Sequence, residues 1–479
     1  MAQLQRKLGL WTCISLVVAS IIGSSIFMKP ATMAAQLGSP ILLMLVWVVA
    51  GVISLFGGMI NAEVGTLFPE TGGQYIYFRH MYGEFFAYLY GWACFIVINT
   101  AGIAGICFVF ADYTQYFVHL PHFSPAIEQS IPLVIPYIGK FYLLENIGVK
   151  GLAILLILVF TWMNTRSVEA SGAVQVIFSV LKVVALVFLV GAIFFSGKGN
   201  VLNLTVPSAS FTHSHWKQLT AFIAATTGAL AAYDGWNNLG MVSGEIQNPQ
   251  KNIPRGLIIG LIICILLYVL TNEAYLYMLP VDVMKHSTLV ASDALYKVMG
   301  TLGAGFVALL VVVSTAGCAN GTIMPSARII YAMSKENKFF SVTGKTNTKH
   351  YTPANALWLQ GIWGVLLVFI GSFDMLMDMF VFISWIFYGF AAYGIFILRK
   401  TMPDTHRPYK LQGYPILPVI FILFSAMYVG ITLYTDISNY MNGKTHVINS
   451  VFGLVLTCIG IPLYFYFIKR KQVGATSLS

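Results

Sequence analysis

Charge is scarce in this chain of 479 residues. Only 9% of them are Asp, Glu, Lys or Arg, against about 25% in an ordinary soluble domain. With 58% hydrophobic residues there is too little polar side chain to cover a water-facing surface of this size, which excludes a soluble enzyme. Cysteine is nearly as sparse. Cys13, Cys94, Cys107, Cys264, Cys318 and Cys458 all fall inside apolar runs with no C-x-x-C pair, so they read as small buried hydrophobes and not as disulfides or metal ligands. The nine histidines lie in connections or at the edges of the runs. His213 and His215 form an H-x-H without an evident third ligand, so no metal site is expected. No nucleotide P-loop and no catalytic triad is visible, and no cofactor is implied. The first apolar run is too long for a cleavable signal peptide and is followed at once by another. No polar stretch is long enough for a separate soluble domain. The longest connections are 118–147, 198–215, 280–299, 334–353 and 399–414.

What fills the chain is long apolar runs. Twelve can be read, at about 10–37, 40–66, 82–117, 148–164, 168–196, 216–243, 255–279, 300–333, 354–373, 376–398, 415–435 and 447–468. A bilayer core of about 30 Å takes about 20 helical residues, and lipid leaves only helices or closed barrels as spanning structures. The runs are too long and too evenly apolar for barrel strands. The expectation is therefore an all-α integral membrane protein with twelve transmembrane helices and a lipid bilayer as its partner.

The formal charge of +10 would suit nucleic acid, but its placement does not. With the N-terminus assigned to the cytoplasm, 18 of the 27 Lys and Arg fall inside, seven outside, and Lys29 and Lys182 within spans. That bias orients a membrane protein. It places both termini in the cytoplasm of a cell that carries the protein in its plasma membrane, and leaves no nucleic-acid partner to explain.

Two runs are interrupted. The first contains Ile21-Ile22-Gly23-Ser24-Ser25-Ile26-Phe27, followed by Lys29-Pro30. The sixth contains Thr226-Thr227-Gly228-Ala229, continuing to Tyr233-Asp234-Gly235-Trp236-Asn237-Asn238. The two interruptions lie five spans apart in the order, an odd number, so the halves would enter the membrane from opposite sides. This is the arrangement of a 5+5 inverted repeat, with repeat 1 at about 10–197, repeat 2 at about 216–398 and helices 11–12 at about 415–468, all in one membrane domain. Broken helices at matching places in two halves point to a transporter's central site; helix packing through small residues is the plainer alternative.

An unwound helix offers amide N–H groups at the start of its second half, which attract an anion, and carbonyls at the end of its first, which attract an ammonium. That pair suits the α-carboxylate and α-amine of an amino acid. The N–H groups of Ser24, Ser25 and Ile26 are the expected carboxylate site, and carbonyls near Ile21 and Ala231 the expected amine site. Asp234 is expensive inside a membrane; either it favours a cation in the pocket or it braces the broken helix. Lys182 either ties the fifth span to the broken first span, where a coupling sodium ion could otherwise sit, or reaches toward the cytoplasmic interface. Trp236 is a gating candidate. Ser314, Thr315 and Asn320 would contribute to coupling or to packing, and Asn99, Ser384 and Trp385 to the pocket or to helix contacts. Glu63, Asp112 and Glu273 are expected near span ends, partly solvated, and Lys29 facing an outer vestibule.

At these residues the chain resembles the amino acid–polyamine–organocation (APC) superfamily, in its L-type amino acid transporter branch and bacterial relatives. The marks are Gly23-Ser24-Ser25-Ile26-Phe27-Met28-Lys29-Pro30, Pro69-Glu70-Thr71-Gly72-Gly73-Gln74-Tyr75, Ala232-Tyr233-Asp234-Gly235-Trp236-Asn237, Glu245-x-x-Asn248-Pro249-x-x-Asn252-x-Pro254, Asn320-Gly321 leading to Ser326-Ala327-Arg328, and Arg407-Pro408-Tyr409-Lys410. They extend over nearly the whole chain. The resemblance implies the leucine-transporter fold, alternating access, and sodium-independent exchange of amino acids; proton-coupled symport on the same fold is the alternative. It places the substrate-contacting stretches at Ile21 through Ile26 and Ala231 through Gly235, and the fifth-helix lysine at Lys182. Ser25 stands where the family usually has a second glycine, and Ala231 where members selecting large neutral substrates carry an aromatic. Asp234 is similar to members that accept basic substrates, and also occurs in bacterial relatives of other preference. Animal members join a heavy subunit through a cysteine in the loop after the third span. The loop at 118–147 has none, so no disulfide-linked heavy subunit is expected.

Overall fold

The computed structural model describes residues 6–70, 72–166, 169–209, 211, 214–347 and 352–467. In chain order its main helices are α1 Leu10–Ile21, α2 Ser25–Leu37, α3 Pro40–Leu67 and α4 Gln74–Tyr82. Next come α5 Glu84–Thr114, α6 Ile147–Arg166, α7 Glu169–Phe195, α8 His215–Tyr233 and α9 Pro249–Met278. The last five are α10 Val290–Lys335, which is kinked at Gly300 (φ +66°, ψ −152°), α11 Ala354–Ile370, α12 Phe373–Thr401, α13 Ile416–Met441 and α14 Asn449–Phe467.

The described residues of the twelve apolar runs are mainly helical, with breaks in the first and the sixth. Among the described residues eight helices (α3, α5, α6, α9, α10, α12, α13 and α14) are long and apolar enough to cross a membrane, or nine if α1 and α2, bent by 45° at their junction, form one span. α11 and the Val180–Phe195 part of α7 are apolar but shorter. The connection at 118–147 is not all loop. It holds an antiparallel hairpin of β1 Pro132–Ile135 and β2 Gly139–Tyr142, with Leu133 opposite Phe141.

Local sequence accounts for several boundaries. Proline is tolerated at the first helical position, where its missing N–H has no partner to lose, and it opens both α3 and α9. Ser39 caps α3 by accepting the Leu42 N–H at 3.4 Å. In α5 the chain widens into a π turn at Cys94–Ile98. There the carbonyl of Phe95 accepts from the Thr100 hydroxyl at 2.5 Å, and that of Ile96 from the Trp363 indole at 2.7 Å.

The chain divides into two compact units. The first comprises the described residues up to Tyr82, Val180–Val311 and Trp385–Thr432. Its helices meet through small residues, which let backbones approach closely. A Cβ on Gly260 of α9 would lie 2.7 Å from Val17 of α1, and one on Gly228 of α8 would lie 3.0 Å from Met33 of α2. The expectation of a partly solvated Glu63 is wrong. It is 0% exposed on α3 and accepts from Arg399 Nε at 3.0 Å, Arg399 Nη2 at 2.7 Å and the Leu411 N–H at 2.7 Å. Arg407 comes within 3.4 Å of the same carboxylate and donates to the Leu398 and Met402 carbonyls that end α12. The Arg407-Pro408-Tyr409-Lys410 stretch thus straps the segment after α12 onto α3. Lys29, expected to face a vestibule, is buried on α2 at 3% exposure.

The second unit comprises Gly83–Ser179, Val312–Ser384 and the described residues from Leu433 on. Here α5, α6 and α11 pack together, with Gly361 of α11 against Thr161 of α6. Asn164 donates to Asn320 Oδ1 at 2.8 Å, and the Trp92 indole donates to the Leu456 carbonyl at 3.0 Å. Of the cysteines, Cys458 is exposed on the surface of α14 and Cys318 is half-buried, while the other four are buried as expected.

Candidate functional site

Both interruptions in the apolar runs are real breaks, and they lie in the same unit. α1 ends at Ile21. Ile22 is extended (φ −68°, ψ 94°), and helix resumes at Ser25. α8 ends at Tyr233. Asp234 is extended (φ −67°, ψ 154°), Gly235 takes φ +114°, and a tight 3-10 helix follows over Trp236–Glu245. Glycine is required at 235 for two reasons. Its φ is one that L side chains rarely adopt, and an added Cβ would sit 2.5 Å from the Ser20 carbonyl oxygen in the last turn of α1. The two breaks therefore touch, backbone to backbone.

A tyrosine of α9 joins them. The Tyr268 hydroxyl lies 2.9 Å from the Ile21 carbonyl oxygen and 3.1 Å from that of Ala232. Its ring is fully buried and packs on Trp47 (centroids 5.6 Å) and Tyr233 (5.1 Å). Carbonyls near Ile21 and Ala231 are the expected amine site; the two that the Tyr268 hydroxyl meets are those of Ile21 and Ala232. Each has two lone pairs, so accepting from Tyr268 does not exhaust it.

On the other side of the first break, Ser24, Ser25 and Ile26 are buried at the start of α2. The first N–H groups of a helix have no helical acceptor, and no side chain caps this one. The Phe27 N–H turns back to the Ser24 carbonyl at 3.1 Å. Gly23 is roomy: an added Cβ would meet just the Ile21 carbonyl oxygen, at 3.7 Å.

Asp234 accepts from the Tyr388 hydroxyl of α12 at 2.5 Å. Tyr388 also faces Trp236 (5.0 Å) and Trp385 (6.1 Å), and Trp385 stacks on Phe421 (5.3 Å). Tyr428 continues the aromatic wall and hydrogen-bonds Thr227 at 3.0 Å. A cavity of about 10 Å³ lies under this wall, lined by Asn61, Gln74, Tyr77, Trp236 and Tyr388 among others. It has space for about one water and for no larger solute. Both amide atoms of buried Gln74 lack a hydrogen-bond partner among the described residues, so a water there would be well held.

The structure thus brings together Ile21, Gly23, Ser24, Ser25, Ile26, Ala231, Asp234, Gly235, Trp236 and Trp385 in one unit. Lys182 belongs to that unit too, 3% exposed and without a hydrogen bond or ion pair among the described residues. Asn99, at the end of the π turn, and buried Ser314 belong to the other unit. Asn320 is committed to Asn164, the packing alternative. Thr71 and His213 lie outside the described residues. Among those residues no three His, Cys, Asp or Glu side chains are grouped to hold a metal. Sequence reasoning missed Tyr268 and Tyr388. The signal was a hydroxyl inside an apolar helix, shared with many of the 25 tyrosines.

Comparison with known proteins shows the family of the chain. The family model for amino acid permeases matches residues 8–462. The b(0,+)-type amino acid transporter 1 of Mus musculus is 31% identical over 427 residues, covering 88% of this chain and 81% of the relative. The serine/threonine exchanger SteT of Bacillus subtilis is 28% identical over 477 residues, 98% of each chain. The human cystine/glutamate transporter is 28% identical over 467 residues, 97% of this chain and 86% of its own.

Proposed function

Because the chain belongs to the amino acid permease family, whose members are transporters and not enzymes, we propose that it exchanges amino acids across the plasma membrane by alternating access. The observation that carries the reading is the meeting of two backbone breaks: buried amide groups at the start of α2 stand beside the helix-ending carbonyls of Ile21 and Ala232. In this reading the substrate α-carboxylate docks on the N–H groups of Ser24, Ser25 and Ile26, beside Gly23. The α-amine docks on the carbonyls of Ile21 and Ala232. Asp234, oriented by Tyr388, adds negative charge to the cation's side of the pocket, with Ala231 and Gly235 completing its wall. Trp236 and Trp385 flank Tyr388 as gating residues. Lys182 serves in place of a coupling ion, and Asn99 and Ser314 assist from their own helices.

The reading includes twelve spans in a 5+5 inverted repeat with two further helices, repeat 1 over about 10–197 and repeat 2 over about 216–398, and both termini in the cytoplasm. The named relatives are amino acid transporters and exchangers, which supports exchange. The absence of cysteine from 118–147 supports function without a disulfide-linked heavy subunit.

The test is counterflow in proteoliposomes. Vesicles loaded with one unlabelled amino acid should accumulate labelled amino acid without sodium and without a pH gradient, and a competition screen of the standard amino acids should then rank substrates. Uptake that needs an imposed proton gradient and ignores the internal amino acid would replace exchange with proton symport.

A further inference from the structure

We propose that the groove between α12 and α13 binds one acyl chain of a membrane phospholipid, seated against the back of the Trp385 wall. Both helices are long and apolar enough to cross a membrane. α12 has no charged residue over 379–398 and α13 none over 416–435. Each stretch is about 20 residues, which as helix matches a bilayer core of about 30 Å. The groove lies at the centre of both. Its lining includes Trp385, Gly389, Phe390 and Tyr393 of α12, with Ser425 and Ala426 of α13. At that depth there is no water to fill a recess, and acyl chains are the solvent.

Small residues open the groove. An added Cβ on Gly389 would lie 3.3 Å from the Ser425 Cβ, so the helices touch there and leave the space beside that contact unfilled. The space is about 400 Å³, within the range of sites that hold small molecules. Trp385 is buried, whereas Phe390 and Tyr393 stand exposed at the rim. From 385 to 393 the groove runs about 12 Å along α12, a length that suits a chain. The Ser425 hydroxyl donates to the Phe421 carbonyl of its own helix at 2.8 Å and so needs no partner from a ligand. An apolar recess stays dry, and left empty it would forfeit dispersion contact along its lining. A flexible hydrocarbon chain restores that contact.

The groove backs onto the candidate site. Trp385 stacks on Phe421 and meets Tyr388 edge-on, and Tyr388 donates to Asp234. A seated chain therefore braces the aromatic wall from the membrane side, a consequence that rests on the exchange reading above. The seat itself needs just the two spans.

The protein is reconstituted in phosphatidylcholine vesicles containing a trace of phosphatidylcholine with a photoreactive diazirine at mid-chain, irradiated, and mapped by mass spectrometry. Labelling of 386–393 and 422–429 should exceed that of the exposed Leu266 and Leu270 on α9 by about tenfold, one decade of preference. Ala426→Phe fills the groove from the α13 side and should abolish the excess while α9 labels as before. Val429→Phe, also in the lining, serves if the first variant folds poorly. Equal labelling of groove and α9 overturns the site, as does an excess that survives in the filled variants. For the wall, exchange is compared in vesicles of straight-chain and methyl-branched phosphatidylcholine, whose side methyls crowd the groove. Wild type should be about threefold slower in the branched lipid, and Ala426→Phe, whose ring stands in for the chain, equally fast in both. The same lipid dependence in both proteins overturns the bracing. A wild type that labels as expected and exchanges nothing sinks the transport reading and leaves the acyl-chain site standing.

Discussion

Two glycines at the breaks should respond oppositely to the same added methyl. At Gly235, φ is +114°. Holding an alanine in such a conformation costs about 1–3 kcal/mol. Its Cβ would also lie 2.5 Å from the Ser20 carbonyl oxygen and 2.8 Å from the carbonyl carbon. These are backbone atoms that cannot swing aside, and overpacking of that kind adds about 1–3 kcal/mol. Gly235→Ala should therefore be destabilised by about 2–6 kcal/mol, a lower unfolding temperature in detergent being the readout, and exchange should be lost as the breaks are forced apart. At Gly23 the backbone needs no left-handed conformation and the new methyl meets just one atom, at 3.7 Å. Gly23→Ala should unfold no earlier than wild type, or slightly later, since alanine restricts the unfolded chain by about 0.4–1 kcal/mol. Its methyl, however, would stand beside the Ser24 and Ser25 amides and raise KM. Both variants are read by thermal unfolding and by the concentration dependence of exchange. A stable, active Gly235→Ala would refute the contact between the breaks, and a Gly23→Ala with unaltered KM would refute the place assigned to the carboxylate.

Glu63→Gln should destabilise the protein by about 3–5 kcal/mol, because it leaves Arg399 and Arg407 without their buried counter-charge; a thermal unfolding curve matching wild type would show the strap to be dispensable. Asp282 accepts from Lys285 and Ser208, each at 2.5 Å, and the Lys285 hydrogen bond first, then that of Ser208, holds its carboxyl below the ordinary carboxylate range. Its folded value is the lower one, so its contribution is present above the unfolded value of about 4 and fades as pH falls through the folded value. The unfolding temperatures of wild type and Asp282→Asn should therefore converge as pH is lowered below 4, by a small amount because solvent screens the pair; a constant gap would contradict the assignment.

The breaks were legible in the sequence because small and charged residues cannot hide in an apolar run: Gly23-Ser24-Ser25 and Asp234-Gly235 each forfeit hydrophobic burial that a plain span would keep. What stabilises the breaks was not legible. Tyr268 lies 247 residues from Ile21, and nothing in its neighbourhood marks its hydroxyl as more than a snorkelling tip. Glu63 was misread for a related reason. A carboxylate in the last turns of a span is ordinarily wetted, and the arginine that dries this one lies 336 residues away. Lys29 was misplaced because a charge beside Pro30 suggests a helix end, whereas α2 runs through both. Periodicity reports which residues are apolar; which distant donor answers a buried acceptor is decided when the helices pack.

The π turn in α5 carries a last consequence. Such a turn accommodates one residue beyond the regular helical count, and each helical residue advances the side chains by about 100°. Asn99 and everything after it on α5 therefore point about a quarter-turn away from where an uninterrupted spiral would aim them. The face this helix presents below Cys94 and the face it presents above Ile98 belong to different stripes of the sequence, and the Trp363 indole, seated on the Ile96 oxygen, marks the place where one stripe hands over to the other.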